Sequence, residues 1–314
     1  MVEIKKDLLI IGAGPAGLGA ALYSKRADLD FEIVDKQMPG GQIMNTEFIE
    51  NYLGFGQRSG FELIEKFSDH CKGLGAEVKT FCPIALVELV KRGKENFFRC
   101  NIAESADHYM VRTIIVASGA YPKMLGLEGE QRLFGRGVSY CATCDGPLYR
   151  DKDVAVVGGG DTAVEEALFL AKFAKKVYII HRRDKLRAVS ILQERAFDLE
   201  NVEIVWNSVL EKIVGEKKVD HILIKNVDDN KIKKIDIQGL FEYVGFGANS
   251  ALVKGIVKLD ANGFIITDKY MRTSCRGIYA AGDVRSTALR QVVTAVADGA
   301  VAATSIDKHL RGLI

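Results

Sequence analysis

The stretch "DLLIIGAGPAGLGAAL", starting at Asp7, returns at Asp153 as "DVAVVGGGDTAVEEAL". Each copy is an apolar run, a glycine turn and an amphipathic run of helical period. A second apolar run follows each of them, "FEIVD" ending at Asp35 and "KVYIIHRR" ending near Arg183. Strands that alternate with helices in this way build parallel sheets covered by helices, so the repeat predicts an α/β chain with two such lobes. A helix over 60–73, β-rich segments over 77–118 and 202–244, and a last strand in "RGIYAAGDV" leading to an apolar helix that ends near Leu310 complete the pattern. No low-complexity linker separates the halves.

The turns themselves read Gly12-Ala13-Gly14-Pro15-Ala16-Gly17 and Gly158-Gly159-Gly160-Asp161-Thr162-Ala163. Both fit G-x-G-x-x-G/A. The first glycine permits the tight turn, the second lets backbone approach a pyrophosphate, and the small third residue lets helix and strand pack closely. The helix N-terminus then favours the anion. One such turn is a weak signal; two in the same strand–turn–helix context predict Rossmann-like, three-layer dinucleotide-binding domains. Asp35 and His181 stand at the same remove from Gly12 and Gly158. A carboxylate there accepts from ribose hydroxyls and repels phosphate, whereas arginines pair with a 2′-phosphate. The first unit is therefore expected to take FAD or NAD, and the second, with His181, Arg182, Arg183 and Arg187, NADP. Without that register, "HRRDKLR" would read as a solvated basic loop. "TSCRGIYAAGDV" adds Gly282 and Asp283 at a strand end, where a carboxylate can accept from ribityl hydroxyls. That second site favours FAD over NAD for the first unit.

A net charge of +2 over 314 residues offers no bulk attraction for nucleic acid or a membrane surface. No apolar run reaches the roughly 18 residues that span a bilayer, and Lys5-Lys6 before Leu8–Ile11 reads as the start of a buried strand rather than a signal peptide. Cys71, Cys82, Cys100 and Cys275 are scattered singly, which suits a reducing cytoplasm better than a secreted disulfide framework.

The remaining two cysteines lie together in "SYCATCDGPLY" (139–149). Cys141 and Cys144 could staple a turn, supply half a zinc site or carry electrons. No second Cys-x-x-C and no His pair at ligand spacing accompanies them, so no metal site is expected. The spacing lets the thiols close a small disulfide and commonly lowers one thiol's pKa. Asp145 could be a plain Asp-Gly turn residue or a carboxyl that passes a proton to a leaving thiolate. A flavin, NADP and a dithiol in one chain suggest a route from nicotinamide to flavin to disulfide to an outside disulfide.

"GAGPAG", "GGQI" (40–43), "CATCDG", "GGGDTAVEEA", "HRRDKLRA" and "AAGDV" with Arg290-Gln291 together resemble the low-molecular-weight thioredoxin reductases over essentially the whole chain. The resemblance implies an NADPH-dependent flavoprotein that reduces thioredoxin or a thioredoxin-like small redox protein. The alternatives on the same scaffold are a reductase for a glutaredoxin-like protein and a ferredoxin-linked disulfide reductase. It implies a homodimer whose FAD-binding domain is formed by 1–118 and 247–314, with an NADPH-binding domain, 119–246, inserted and carrying the cysteines. Cys144 would face the flavin, Cys141 would attack substrate and Asp145 would be the acid/base. Gly12, Gly14, Pro15, Ala16, Gly17, Asp35, Gly41, Gln42, Asn51, Gly282, Asp283, Arg290 and Gln291 would hold FAD. Gly158, Gly160, Asp161, Thr162, His181, Arg182, Arg183 and Arg187 would hold NADPH. Ser118, Val292 and the proline-free "GFGANS" (245–250) depart from the family's usual pattern. No redox domain precedes Gly12, unlike a peroxide-reducing fusion subunit of related sequence.

Overall fold

The apolar run before each glycine turn is a buried strand: Leu8, Leu9 and Ile10 are fully buried, and so are Val154, Ala155 and Val156. Hydrophobicity that runs on without alternating is what a strand covered on both faces requires. The computed structural model describes residues 2–45, 49, 51–56, 58–93 and 95–313. They divide into two compact units, residues 1–121 with 247–314 and residues 122–246.

In the first unit Glu3–Ile11 lies between Phe31–Val34 and His108–Val116, parallel to both. Val78–Lys79 extends the sheet beyond Phe31–Val34. His108–Val116 is where the sheet divides. Its first half pairs antiparallel with Glu95–Ile102, which pairs in turn with Ile84–Arg92, and its second half pairs in parallel with Ile278–Ala280. The helix Pro15–Arg26 begins with proline at its first turn, where the missing N–H costs nothing. It crosses the long helix Val292–Leu310 at backbone contact. A Cβ on Gly299 would lie 2.1 Å from Ala16 O, and one on Gly19 would lie 2.8 Å from Val296 O. The helix Gly60–Gly73, anticipated from its pattern, starts with a Ser59–Glu62 capping box.

The second unit holds a parallel sheet in the order Val202–Val205, Lys176–Ile180, Asp153–Val157, Gly239–Glu242, Val138–Ser139. The helix Asp161–Leu170 covers one face through Val164, Ala167 and Leu170. An antiparallel sheet of Ser208–Val214, His221–Asn226 and Ile232–Asp236 brings Ile213, Ile222 and Ile224 to Ala155, Val157 and Leu240 in the other core. The three layers are therefore helix, parallel sheet and antiparallel sheet, because the β-rich 202–244 segment supplies the layer that helices fill elsewhere. The strand Lys176–Ile180 stops before His181, so the arginines lie past its end and not within it.

Where the chain leaves the first unit, Ser118 Oγ donates to Asn249 O at 2.7 Å and Asn249 Nδ2 donates back to Ser118 O at 3.0 Å. Ser118, one of the expected departures, is thus tied to the proline-free 245–250 segment by a reciprocal pair of bonds. In the second unit Lys123 N–H donates to Gly245 O at 2.9 Å. No helix among the described residues is long and apolar enough to cross a membrane.

Candidate active site

The strand Val138–Ser139 runs along Gly239–Glu242 and delivers Cys141 to the start of a short helix, Ala142–Asp145. Cys141 and Cys144 form a disulfide with Cα atoms 5.3 Å apart. Cys144 N–H donates to Cys141 Sγ at 3.2 Å. A thiolate formed at Cys141 meets a donor already in place, which is how helix starts favour the reactive form of a cysteine. The other thiols differ. Burial pushes Cys71 up to about 11 and Cys100 up to about 12, so neither ionises near neutral pH.

Ser139 ties this turn to its carboxyl. Its hydroxyl donates to Asp145 Oδ2 at 2.6 Å and accepts Cys141 N–H at 3.1 Å. A hydroxyl has one proton, and the short bond to Asp145 uses it. Beneath the turn, Tyr243 Oη accepts Ala142 N–H at 2.5 Å. Burial, then the Glu166 charge, hold the Tyr243 phenol well above its ordinary range, and its proton goes to Glu166. Ser139, Tyr243 and Glu166 were not among the residues read from the sequence. The only local signal was a hydroxyl two residues before Cys141, and Tyr243 arrives from a distant strand.

The glycine turn of the same unit leaves no room for side chains. A Cβ on Gly158 would lie 2.5 Å from Ala163 Cβ, and one on Gly159 would lie 2.2 Å from the His181 ring. His181 is buried, with Nδ1 3.0 Å from Gly158 O and Nε2 2.9 Å from Lys185 O. Its ring is thus engaged by the protein itself. Arg187 N–H and Ala188 N–H donate to Gly159 O, and Asp161 Oδ1 accepts Val189 N–H at 2.8 Å, so the 181–189 loop is folded onto the turn. Thr162, Arg182, Arg183 and Arg187 are exposed around it, and a Cβ on Gly160 would lie 3.9 Å from Arg187 Nη2. Among the described residues none of these arginines is in a salt bridge, which leaves their charge for an anion.

In the first unit the turn lies at the carboxyl ends of the parallel strands, where open α/β sheets bind ligands. Gly12, at φ +107°, would put a Cβ 2.4 Å from Ala117 O, and Gly17 would put one 1.8 Å from Gly12 O. Asp35 accepts Ala13 N–H at 2.7 Å and Gln37 N–H at 2.8 Å, which fixes its carboxylate against the turn. Gly40 N–H donates to Ala13 O, and Gly41 comes up to Gly14. Gly282 packs on Ala16, and its N–H donates to Asp298 Oδ2. Asp298 is held by a bidentate, largely buried pair with Arg285, another pairing that sequence reading missed. The structure thus brings together Gly12–Gly17, Asp35, Gly41 and Gly282. Gln42 Nε2 donates to Ala120 O, and Asn51 Nδ2 donates to Gln291 Oε1 at 3.2 Å.

These residues fit a flavin dinucleotide. The side-chain-free cradle suits a pyrophosphate. Burial pushes Asp283 up to about 6, opposed by Arg290 and reinforced by Asp298, so its carboxyl gains from a hydroxyl partner. Arg290 stacks 4.2 Å over Phe264, yet its buried Nε has no partner among the described residues. An orphaned buried donor is the kind of group a ligand satisfies. Among the described residues no cluster of His, Cys, Asp and Glu could hold a metal ion.

Two nucleotide cradles and a dithiol turn define a pyridine nucleotide-disulphide oxidoreductase, and the profile of that family matches residues 6–299. The chain belongs to this family, and within it to the low-molecular-weight thioredoxin reductases. It is 45% identical over 308 residues to the thioredoxin reductase of Listeria monocytogenes, covering 98% of this chain and 94% of the relative. It is 43% identical over 308 residues to that of Bacillus subtilis, covering 98% and 95%. The solved thioredoxin reductase from Streptococcus pyogenes MGAS5005 is 44% identical, covers 98% and 99%, and superposes with a TM-score of 0.85.

Proposed function

We propose that this chain passes electrons from NADPH through FAD to the Cys141–Cys144 disulfide, and from there to oxidised thioredoxin. The observation that carries the reading is the disulfide itself, built into the same unit as an arginine-rimmed nucleotide turn. The first unit would bind FAD through Gly12, Gly14, Pro15, Ala16, Gly17, Asp35, Gly41, Gln42, Asn51, Gly282, Asp283, Arg290 and Gln291. In the second, Gly158, Gly160, Asp161 and Thr162 would receive the NADPH pyrophosphate. Arg182, Arg183 and Arg187 would receive its 2′-phosphate, with His181 holding their loop. The domain limits read from the sequence, a homodimer and a cytoplasmic setting belong to the same proposal.

FAD held by these residues would supply two-electron chemistry between a nicotinamide hydride and the disulfide. The protein's own residues do the rest. Electrons arrive at Cys144, the S–S bond breaks, and two thiol groups form with two protons. Cys141 passes its proton to Asp145 and, as thiolate, attacks one sulfur of the substrate disulfide; the displaced sulfur takes that proton back from Asp145. Cys144 then attacks the mixed disulfide at Cys141, releasing the reduced substrate and restoring the Cys141–Cys144 bond. Ser139 holds Asp145 toward the turn throughout. The arginine rim favours a phosphorylated nucleotide donor over ferredoxin, which needs no such site.

Cys141→Ser and Cys144→Ser are each expected to abolish NADPH-driven reduction of thioredoxin while NADPH still bleaches the flavin. Thioredoxin reduction surviving in either variant would sink the route.

A further inference from the structure

Glu242 closes the strand Gly239–Glu242 beside Val157, on the strand that also supports the redox turn. Its carboxyl is buried, 3% exposed, and among the described residues no donor reaches either oxygen. What it faces is a second buried carboxyl, Glu130, 1% exposed. Glu130 is well supplied. The amides of Leu125, Gly126 and Leu127 donate to it at 2.9, 2.7 and 3.0 Å, and the Tyr140 hydroxyl donates at 3.0 Å. Burial alone would raise Glu130, but the facing Glu242 carboxyl, these amides and Tyr140 outweigh it and hold it below the ordinary range. Two buried carboxylates cannot face each other without a proton or a cation between them. The ionisable groups facing Glu242 are Glu130 and the Tyr140 phenol, which burial and then the two carboxyls keep protonated. Among the described residues neither carboxyl is in a salt bridge, and no cation acts on Glu242.

We propose that Glu242 keeps its proton in the folded protein and donates it to Glu130, and that this Glu242–Glu130–Tyr140 bridge clamps the start of the redox turn. Tyr140 directly precedes Cys141, so a carboxyl pair on one side of the turn sets where the cysteine begins. The clamp rests on the proposed role of Cys141 and Cys144; the proton does not. Burial, then the bond and charge of Glu130, push Glu242 up to about 9. The folded chain holds a proton that the unfolded chain releases near the ordinary carboxylate range. The bridge's contribution to stability is therefore full in acid, falls as pH rises past that range and is gone above about 9. Once the proton leaves, a second negative charge faces Glu130 and the clamp opens. Glu242→Gln keeps a donor of the same shape and has nothing to ionise.

Infrared spectra of the FAD-loaded protein against pH read the proton directly. A protonated-carboxyl band is expected at neutral pH, with loss centred near 9, and it should be missing from Glu242→Gln. If Glu242→Gln does not fold, Glu242→Leu serves the same comparison. Absence of the band from the wild-type protein at neutral pH overturns the proposal whatever the enzyme's activity. Thermal unfolding gives a second reading: the gain of Glu242→Gln over wild type should widen as pH rises from about 5 to about 9, then stay level. A gain that ignores pH contradicts the proton. Turnover from pH 7 to 10 tests the clamp. At pH 10 roughly one bridge in ten keeps its proton, so wild-type turnover should fall up to about tenfold further than that of Glu242→Gln. Parallel profiles in the presence of the infrared band overturn the clamp alone.

Discussion

The two glycine turns share a pattern and differ in how tightly they are wound. In the first unit the third small position is Gly17, and a Cβ there would meet Gly12 O at 1.8 Å. In the second the equivalent residue is Ala163, buried, with its methyl packed over Gly158. The groups beyond the turns differ as well. Asp35 is locked onto Ala13 N–H, and the second unit offers exposed arginines on a loop pinned by His181. One turn thus presents a carboxylate held by backbone, and the other a cationic rim held by an imidazole. On the proposed function, the shared backbone chemistry would let both turns receive a pyrophosphate, and the residues beyond the second strand would decide which dinucleotide.

The largest expected effect lies in the tighter turn. Gly17→Ala forces backbone apart and should destabilise the first unit by about 3 kcal/mol or more, with loss of flavin on purification. A yellow protein with an unchanged unfolding midpoint would show that the turn relaxes easily and would dissolve the contrast. The converse change in the second unit, Ala163→Gly, removes a methyl from a helix with space for it. Its cost should be only about 1 kcal/mol, seen as a small drop in the unfolding midpoint with NADPH use retained.

Much of this was legible because it is local. A strand, a glycine turn and a helix follow one another in the chain, so their types and order could be read directly, as could the Gly60–Gly73 helix and the Cys141–Cys144 pair. What escaped reading depends on segments meeting in space. Tyr243, just past the strand Gly239–Glu242, meets Ala142 from 101 residues along the chain, Asp298 meets Arg285 from within the last helix, and Glu242 reads as one charge in an apolar strand until Glu130 is placed opposite. His181 shows the limit of register. Its place after the second strand pointed to the nucleotide, but register does not give side-chain direction past the strand's end, and the ring turns inward to Gly158 and Lys185. The antiparallel layer of the second unit was visible as β-rich sequence, but its position over the parallel sheet follows from the buried faces of Ile213, Ile222 and Ile224.

The central claim is that the second turn, through its arginines, feeds electrons from NADPH into the flavin held by the first. Anaerobic stopped-flow bleaching of the flavin by NADPH and by NADH, in the wild-type protein and in Arg182→Ala and Arg183→Ala, tests it most directly. A charge-assisted hydrogen bond contributes roughly 1.5–3 kcal/mol. Each substitution should therefore raise the NADPH concentration for half-maximal bleaching roughly tenfold to a hundredfold and leave NADH almost unchanged. Equal bleaching by the two nucleotides in the wild-type protein, or arginine variants that lose nothing with NADPH, would contradict the account.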